Sequence, residues 1–124
     1  MIPASRNEAD IEYSIMLAVL SFQKEFMQSN YTHVQVRMSE SAVEVDLTRT
    51  LPIPAEERLA QTPDGRAQLR QIHQALFAAG RELLQKQLDE ILGGQICEIS
   101  TNLEPLAGKN TILIRLVETG ERSS

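Results

Sequence analysis

The sequence predicts an α+β fold of two layers. A four-stranded, mainly antiparallel sheet is covered by helices in the order αββααββ, with one long helix in the second half of the chain. Three observations predict it. HVQVRMSESAVEVDL, residues 33–47, places an apolar side chain at every second position, resets across a polar stretch and continues, as a hairpin does. Residues 64–92 carry apolar side chains at helical spacing and end at Gly93 and Gly94. TILIRLVE, residues 111–118, is apolar on both faces, as a central strand is.

The first element is a helix over 8–28. Asn7 caps it, Glu8, Asp10 and Glu12 sit at its positive end, and Ile11, Ile15, Val19, Phe22 and Phe26 form its stripe. Leu17, Leu20 and Met27 widen that stripe. SNYT, residues 29–32, turns the chain into the hairpin. Across the loop SESA, Met38 pairs with Val43, Val36 with Val45 and Val34 with Leu47 on one face; Arg37 opposes Glu44 and Gln35 opposes Asp46 on the other. The apolar face awaits helices, and the polar face reads as solvated with matched charges.

TLPIPAEERL, residues 50–59, leaves the sheet, since two prolines two residues apart forbid a central strand. Pro54 opens a short helix to about Gln61, with Glu56 and Glu57 in its first turn. Thr62 then caps, Pro63 begins again and Gly65 loosens the join. The long helix uses Leu69, Ile72, Leu76, Phe77, Leu83, Leu84, Leu88, Ile91 and Leu92, with Gly80 among them. Its 29 residues would extend about 43 Å. A monomer of this size is only roughly 35 Å across. The helix therefore kinks near Ala79–Gly80 or lays its excess on a partner. Residues 95–101 form the third strand, NLEPLAGKN a loop, and residues 111–118 the fourth strand. Ile112, Ile114 and Leu116 share one face of that strand, and Leu113 and Val117 the other.

Length and composition fit this plan. The 124 residues suit one domain over 1–124, with loose ends at 1–6 and 119–124. With three Phe, two Tyr and no Trp, the core is built of aliphatic side chains. A formal net charge of −5 argues against a general nucleic-acid binder, because phosphate neutralisation needs a basic surface. The single Cys97 excludes an internal disulfide and fits a reducing cytoplasm. The N-terminus lacks the basic-then-apolar order of a secretory signal. The most apolar run, IMLAVL, has six residues where a membrane span takes about 20.

No catalytic, metal or cofactor constellation emerges. His33 and His73 are far apart in sequence, and HExxH, CxxC, GxSxG and GxxxxGK[ST] are all absent. His73 reads as a residue at the edge of the buried stripe, and Cys97 as a small buried hydrophobe in a strand. Glu56 and Glu57 are adjacent on a helix, so they diverge and make no carboxylate pair.

Three segments carry a family resemblance: VQVRMSESAVEVDLTRTLPIPAEERLA, RQIHQALFAAGRELLQKQLDEILGGQICEIST and TILIRLV. In this order they resemble the MpsC-like domain family, also called DUF2294, whose label is a Na+-translocating membrane-potential-generating system. The resemblance runs from about residue 11 to 117, most of the chain, and centres on the stretch from Leu83 through Ser100. SNYT departs from the Gly-Pro turn frequent in the family, and His73 and Gln74 stand where an arginine often precedes the Phe. No catalytic residue carries over. The resemblance implies a link to membrane energetics or to ion and bicarbonate transport.

These readings combine into a small non-enzymatic accessory module, cytoplasmic and peripheral to a membrane complex. It forms a homodimer and has a membrane-transport protein as partner. Leu76, Gly80 and Leu83 are the expected subunit contact. The rival reading is a small-molecule sensor or enzyme with a site between sheet and helices, where His33, Arg37, Asn102 and Lys109 would converge.

Overall fold

A computed structural model describes residues 7–49, 51 and 53–117. The expected loose ends at 1–6 and 119–124 lie outside the described residues. The elements run α1 (Glu8–Glu25), β1 (His33–Met38), β2 (Ala42–Thr48), α2 (Pro54–Leu59), α3 (Pro63–Leu92), β3 (Ile96–Glu104) and β4 (Lys109–Leu116). The fold is α+β in the predicted order αββααββ, with an open four-stranded antiparallel sheet ordered β1-β2-β4-β3. The chain thus uses an αββ unit twice. The second strand of each unit lies in the centre and the first on an edge.

The hairpin register follows from its alternation. Val34 faces Leu47, Val36 faces Val45 and Met38 faces Val43. The row continues across β4, where Val43 meets Ile114 and Val45 meets Ile112, and on to Ile99 of β3. Helices α1 and α3 cover this row. Ile15, Val19, Leu84 and Leu88 have no exposed surface, so truncating either leucine to Ala would cost about 2–5 kcal/mol.

Several boundaries differ from expectation. Helix α1 stops at Glu25 and does not reach Gln28, because Gln28 takes a left-handed backbone (φ 54°) and the Ser29 N–H turns back to the Gln23 carbonyl. Leu17 does not widen the buried stripe; it is 48% exposed. NLEPLAGKN is mostly strand rather than loop. Asn102 pairs with Thr111, Leu103 with Asn110 and Glu104 with Lys109, leaving a turn at 105–108 with Gly108 at φ 61°. Helix α3 is unbroken through Gly80. Gly65 does not loosen the α2–α3 join but tightens it: a Cβ there would meet the Leu59 carbonyl oxygen at 1.8 Å.

Cys97 is exposed, against the expectation of a buried thiol. The register shifts between Ile96 and Glu98, so Cys97 falls at an irregularity of the β3–β4 ladder and loses the alternation that would have turned it inward.

Candidate functional site

Two regions carry features beyond packing, the outer face of α3 and a buried polar cluster beneath its first half. On α3, Leu76 is 42% and Leu83 49% exposed, and Ile72 joins them at 57%. At about 100° per residue, positions 72, 76, 79 and 83 fall on one stripe. Ala75 and Ala79, both exposed, keep that stripe low. Gly80 is not on it. Gly80 is buried, and a Cβ there would meet the Phe26 ring at 2.4 Å. Its lack of a side chain serves the α1–α3 contact within the chain, where Phe26 stacks on Phe22 with ring centroids 5.4 Å apart.

Beneath α3 a chain of hydrogen bonds crosses the layers. His73 Nε2 lies 2.8 Å from Thr101 Oγ1, and the Thr101 hydroxyl donates to Asn110 Oδ1 at 2.8 Å. The hydroxyl has one proton and spends it on Asn110, so His73 Nε2–H is the donor to Thr101. The imidazole therefore holds the hydroxyl in place and does not take its proton. Burial lowers the His73 pKa, which favours the neutral imidazole. Gln74 Nε2 donates to the Thr101 carbonyl at 2.8 Å and Arg70 Nε to the Leu103 carbonyl at 3.3 Å, so α3 also caps carbonyls of β3, an edge strand.

Asn110 is fully buried, and its Nδ2 has no hydrogen-bond partner among the described residues. Nearby, the Arg49 guanidinium lies 4.8 Å from the centre of the Tyr31 ring and donates from Nη1 to Glu56 Oε1 at 2.8 Å. Arg49 Nε is buried and has no hydrogen-bond partner among the described residues. Burial raises the Tyr31 pKa, and Arg49, Glu56 and Asn110 are the groups that act on its phenol. A cavity of about 240 Å³ opens beside Arg49 and Glu56, between α2 and the turn at 105–108.

Arg37 and Lys109 converge on the open polar face of the sheet, away from the helices. Both reach Asp46, the former with a hydrogen bond and the latter at 3.8 Å; Arg37 also pairs with Glu44. Asn102 lines the same shallow surface as Lys109, whereas His33 bonds Thr32 at the start of β1. The four residues of the rival reading therefore do not form one site between sheet and helices. The polar face does hold one residue that alternation alone did not mark as buried: Asp46 is only 7% exposed. Burial pushes its carboxyl up, but the Thr111 hydrogen bond and the Lys109 and Arg37 charges outweigh this and hold it below the usual carboxylate value.

The cluster around His73 went unnoticed in the sequence, yet it left a signal. Thr101 has the parity of Ile99, Asn110 that of Ile112 and Ile114, and His73 lies four residues from Leu69 and Phe77. Each is a polar residue in phase with a buried row. Among the described residues, no three His, Cys, Asp or Glu side chains gather as a metal site.

No curated protein and no solved structure gives a match to this chain. A family model does: over residues 7–118 the chain matches the family described as Na+-translocating membrane potential-generating system (MpsC), and it belongs to that family.

Proposed function

We propose that this chain is a non-enzymatic accessory subunit that pairs with a second copy through α3 and assists a membrane transport or membrane-potential system from its cytoplasmic side. The observation that carries the pairing is the exposed row Ile72, Leu76 and Leu83 on a 30-residue helix whose other side is spent on the core. An antiparallel pairing of two α3 helices suits that row. It sets Ile72 against Leu83, and Ala75 and Ala79 let the axes approach to about 8–10 Å. Charge favours the same arrangement. Asp64, Arg66 and Arg70 leave the first half of α3 with one net positive charge. Arg81, Glu82, Lys86, Asp89 and Glu90 leave the second half with one net negative charge.

The membrane link rests on the family description. Among the described residues no helix is long and apolar enough to cross a membrane; the proposed role is one of contact with a protein of that system.

Sedimentation equilibrium tests the pairing. Wild type is expected at twice the 13.9 kDa chain mass, and Leu83→Asp at the chain mass with an unchanged circular dichroism spectrum. A wild-type monomer, or a folded Leu83→Asp dimer, removes this surface. Affinity capture with separate soluble and membrane fractions tests the partner: subunits of one transport system in the membrane fraction are the expected result. Their absence there counts against the membrane role.

A further inference from the structure

The cavity beside Arg49 is independent of the α3 stripe, and its chemistry is specific enough to name a ligand class. We infer that it binds a small aliphatic carboxylate, and that Glu56 holds the place of the ligand's carboxylate when the site is empty.

Arg49 is fixed before any ligand arrives. Its backbone N–H donates to the Gly108 carbonyl at 3.0 Å, its guanidinium packs 4.8 Å from the centre of the Tyr31 ring, and its side chain is only 11% exposed. A planar guanidinium held in this way suits a carboxylate, which it can meet with two parallel N–H donors. Glu56 engages it through Nη1, and among the described residues the buried Nε finds no partner. The guanidinium is therefore under-used by the chain's own carboxylate.

Glu56 is also easily displaced. It sits on α2, six residues none of which is buried, and its side chain is 39% exposed. Moving this carboxylate into water costs little core packing. The Arg49 charge, by contrast, stays in its largely buried setting and needs an anion.

The rest of the cavity sets the body of the ligand. Ile53, Ala60, Leu69, Leu103 and Leu106 supply apolar walls. Leu106 is 66% and Ile53 39% exposed, so apolar surface lies open at the site without a ligand. About 240 Å³ falls below the roughly 300–1,000 Å³ of sites for drug-sized ligands, so the occupant is small. Glu57 also lines the cavity, and its charge would favour an amine over an acid if Arg49 stayed locked to Glu56. The two ligand charges thus give opposite expectations.

The test is a titration of the ¹⁵N-labelled full chain, followed by amide shifts, with hexanoate, 1-hexanol and hexylamine. Hexanoate is expected to shift the amides of Arg49, Glu56, Ala60, Leu69 and Gly108, and to bind roughly tenfold tighter than the alcohol and the amine. Glu56→Gln keeps the shape of the side chain and removes the competing charge. It is expected to bind hexanoate several-fold tighter than wild type, a gain that a misfolded variant cannot produce. Hexanoate shifts absent from this region, equal or tighter binding of hexanol or hexylamine, or unchanged or weaker binding by folded Glu56→Gln each overturn the assignment.

Discussion

Gly80 of α3 lies directly beneath the ring of Phe26: a Cβ at position 80 would come within 2.4 Å of Cε2, 2.6 Å of Cδ2 and 2.8 Å of Cζ. The ring cannot simply swing aside, because it stacks on Phe22, which in turn packs edge-on against Phe77 at 5.9 Å. Two effects oppose each other in Gly80→Ala. Helix propensity favours alanine by about 1 kcal/mol. Overpacking a close contact costs about 1–3 kcal/mol. The collision is with a stacked ring, so the expected result is a net loss of about 1 kcal/mol in urea unfolding. The partner change Phe26→Leu should relieve it, making the double variant less destabilised than the two single changes added together. A Gly80→Ala protein more stable than wild type would remove the contact.

His73 predicts a pH dependence of stability. Burial lowers its pKa, the Asn110 side chain beyond Thr101 partly opposes this, Arg49 lowers it further and Glu56 raises it. The native state therefore binds less proton at this site than the unfolded chain, whose histidine titrates near 6.5. The stability it supports is complete above about pH 6.5 and falls as pH drops through that value toward the lowered native pKa. Thermal unfolding from about pH 7.5 to about pH 5.0 should show a falling midpoint in wild type. His73→Gln, which keeps a side-chain donor, should show a shallower fall over the same window. Parallel curves for the two proteins would place the dependence elsewhere.

The fold was legible because the apolar pattern has one dominant period in each segment. Val34, Val36 and Met38 could face only Leu47, Val45 and Val43 if both strands were to bury one side. The glycines were less legible, since sequence cannot say what a missing Cβ makes room for. Gly65 and Gly80 both serve close contacts inside the chain, the first with a backbone carbonyl and the second with a ring. Cys97 was misplaced because an irregularity of one residue inverts the parity of a strand, and the run Ile96, Cys97, Glu98 gives no local sign of it. The Arg49 site was hidden for another reason. Tyr31, Arg49, Glu56 and Leu106 come from four separate connecting or short segments, which only the sheet order brings together.

Asp46 supports the open face of the sheet in a charge-dependent way. It accepts from Thr111 Oγ1 at 2.9 Å and from Arg37, with Lys109 at 3.8 Å. Its carboxyl is held below the ordinary value, so its stabilising contribution is present above the unfolded pKa of about 4 and is lost as pH falls through the native pKa. Asp46→Asn should cost about 1.5–3 kcal/mol at pH 7, the range for hydrogen bonds to a charged group. That difference should shrink as pH is lowered below about 4. Urea unfolding of both proteins at about pH 7 and about pH 3 measures it, and a difference independent of pH would assign the loss to shape and not to charge.

Gly65 joins α2 to α3 more tightly than any side chain would permit. Thr62 caps α3 by accepting from the Gly65 N–H at 3.0 Å, and a Cβ at 65 would sit 1.8 Å from the Leu59 oxygen and 2.7 Å from its carbon. Both atoms are backbone, so no rotamer change relieves the overlap; α2 must move. Gly65→Ala is expected to lower the thermal midpoint by several degrees, with about 4 °C for each kcal/mol lost in a domain of this size. The displacement should also draw Glu56 from Arg49, because α2 carries Glu56 while Arg49 stays fixed to Gly108. Amide shifts in the variant should therefore concentrate at residues 53–66 and at Arg49, with β1 and the second half of α3 unchanged. Shifts spread evenly through the sheet would mean that α2 is part of the core and not a separable cover over the cavity.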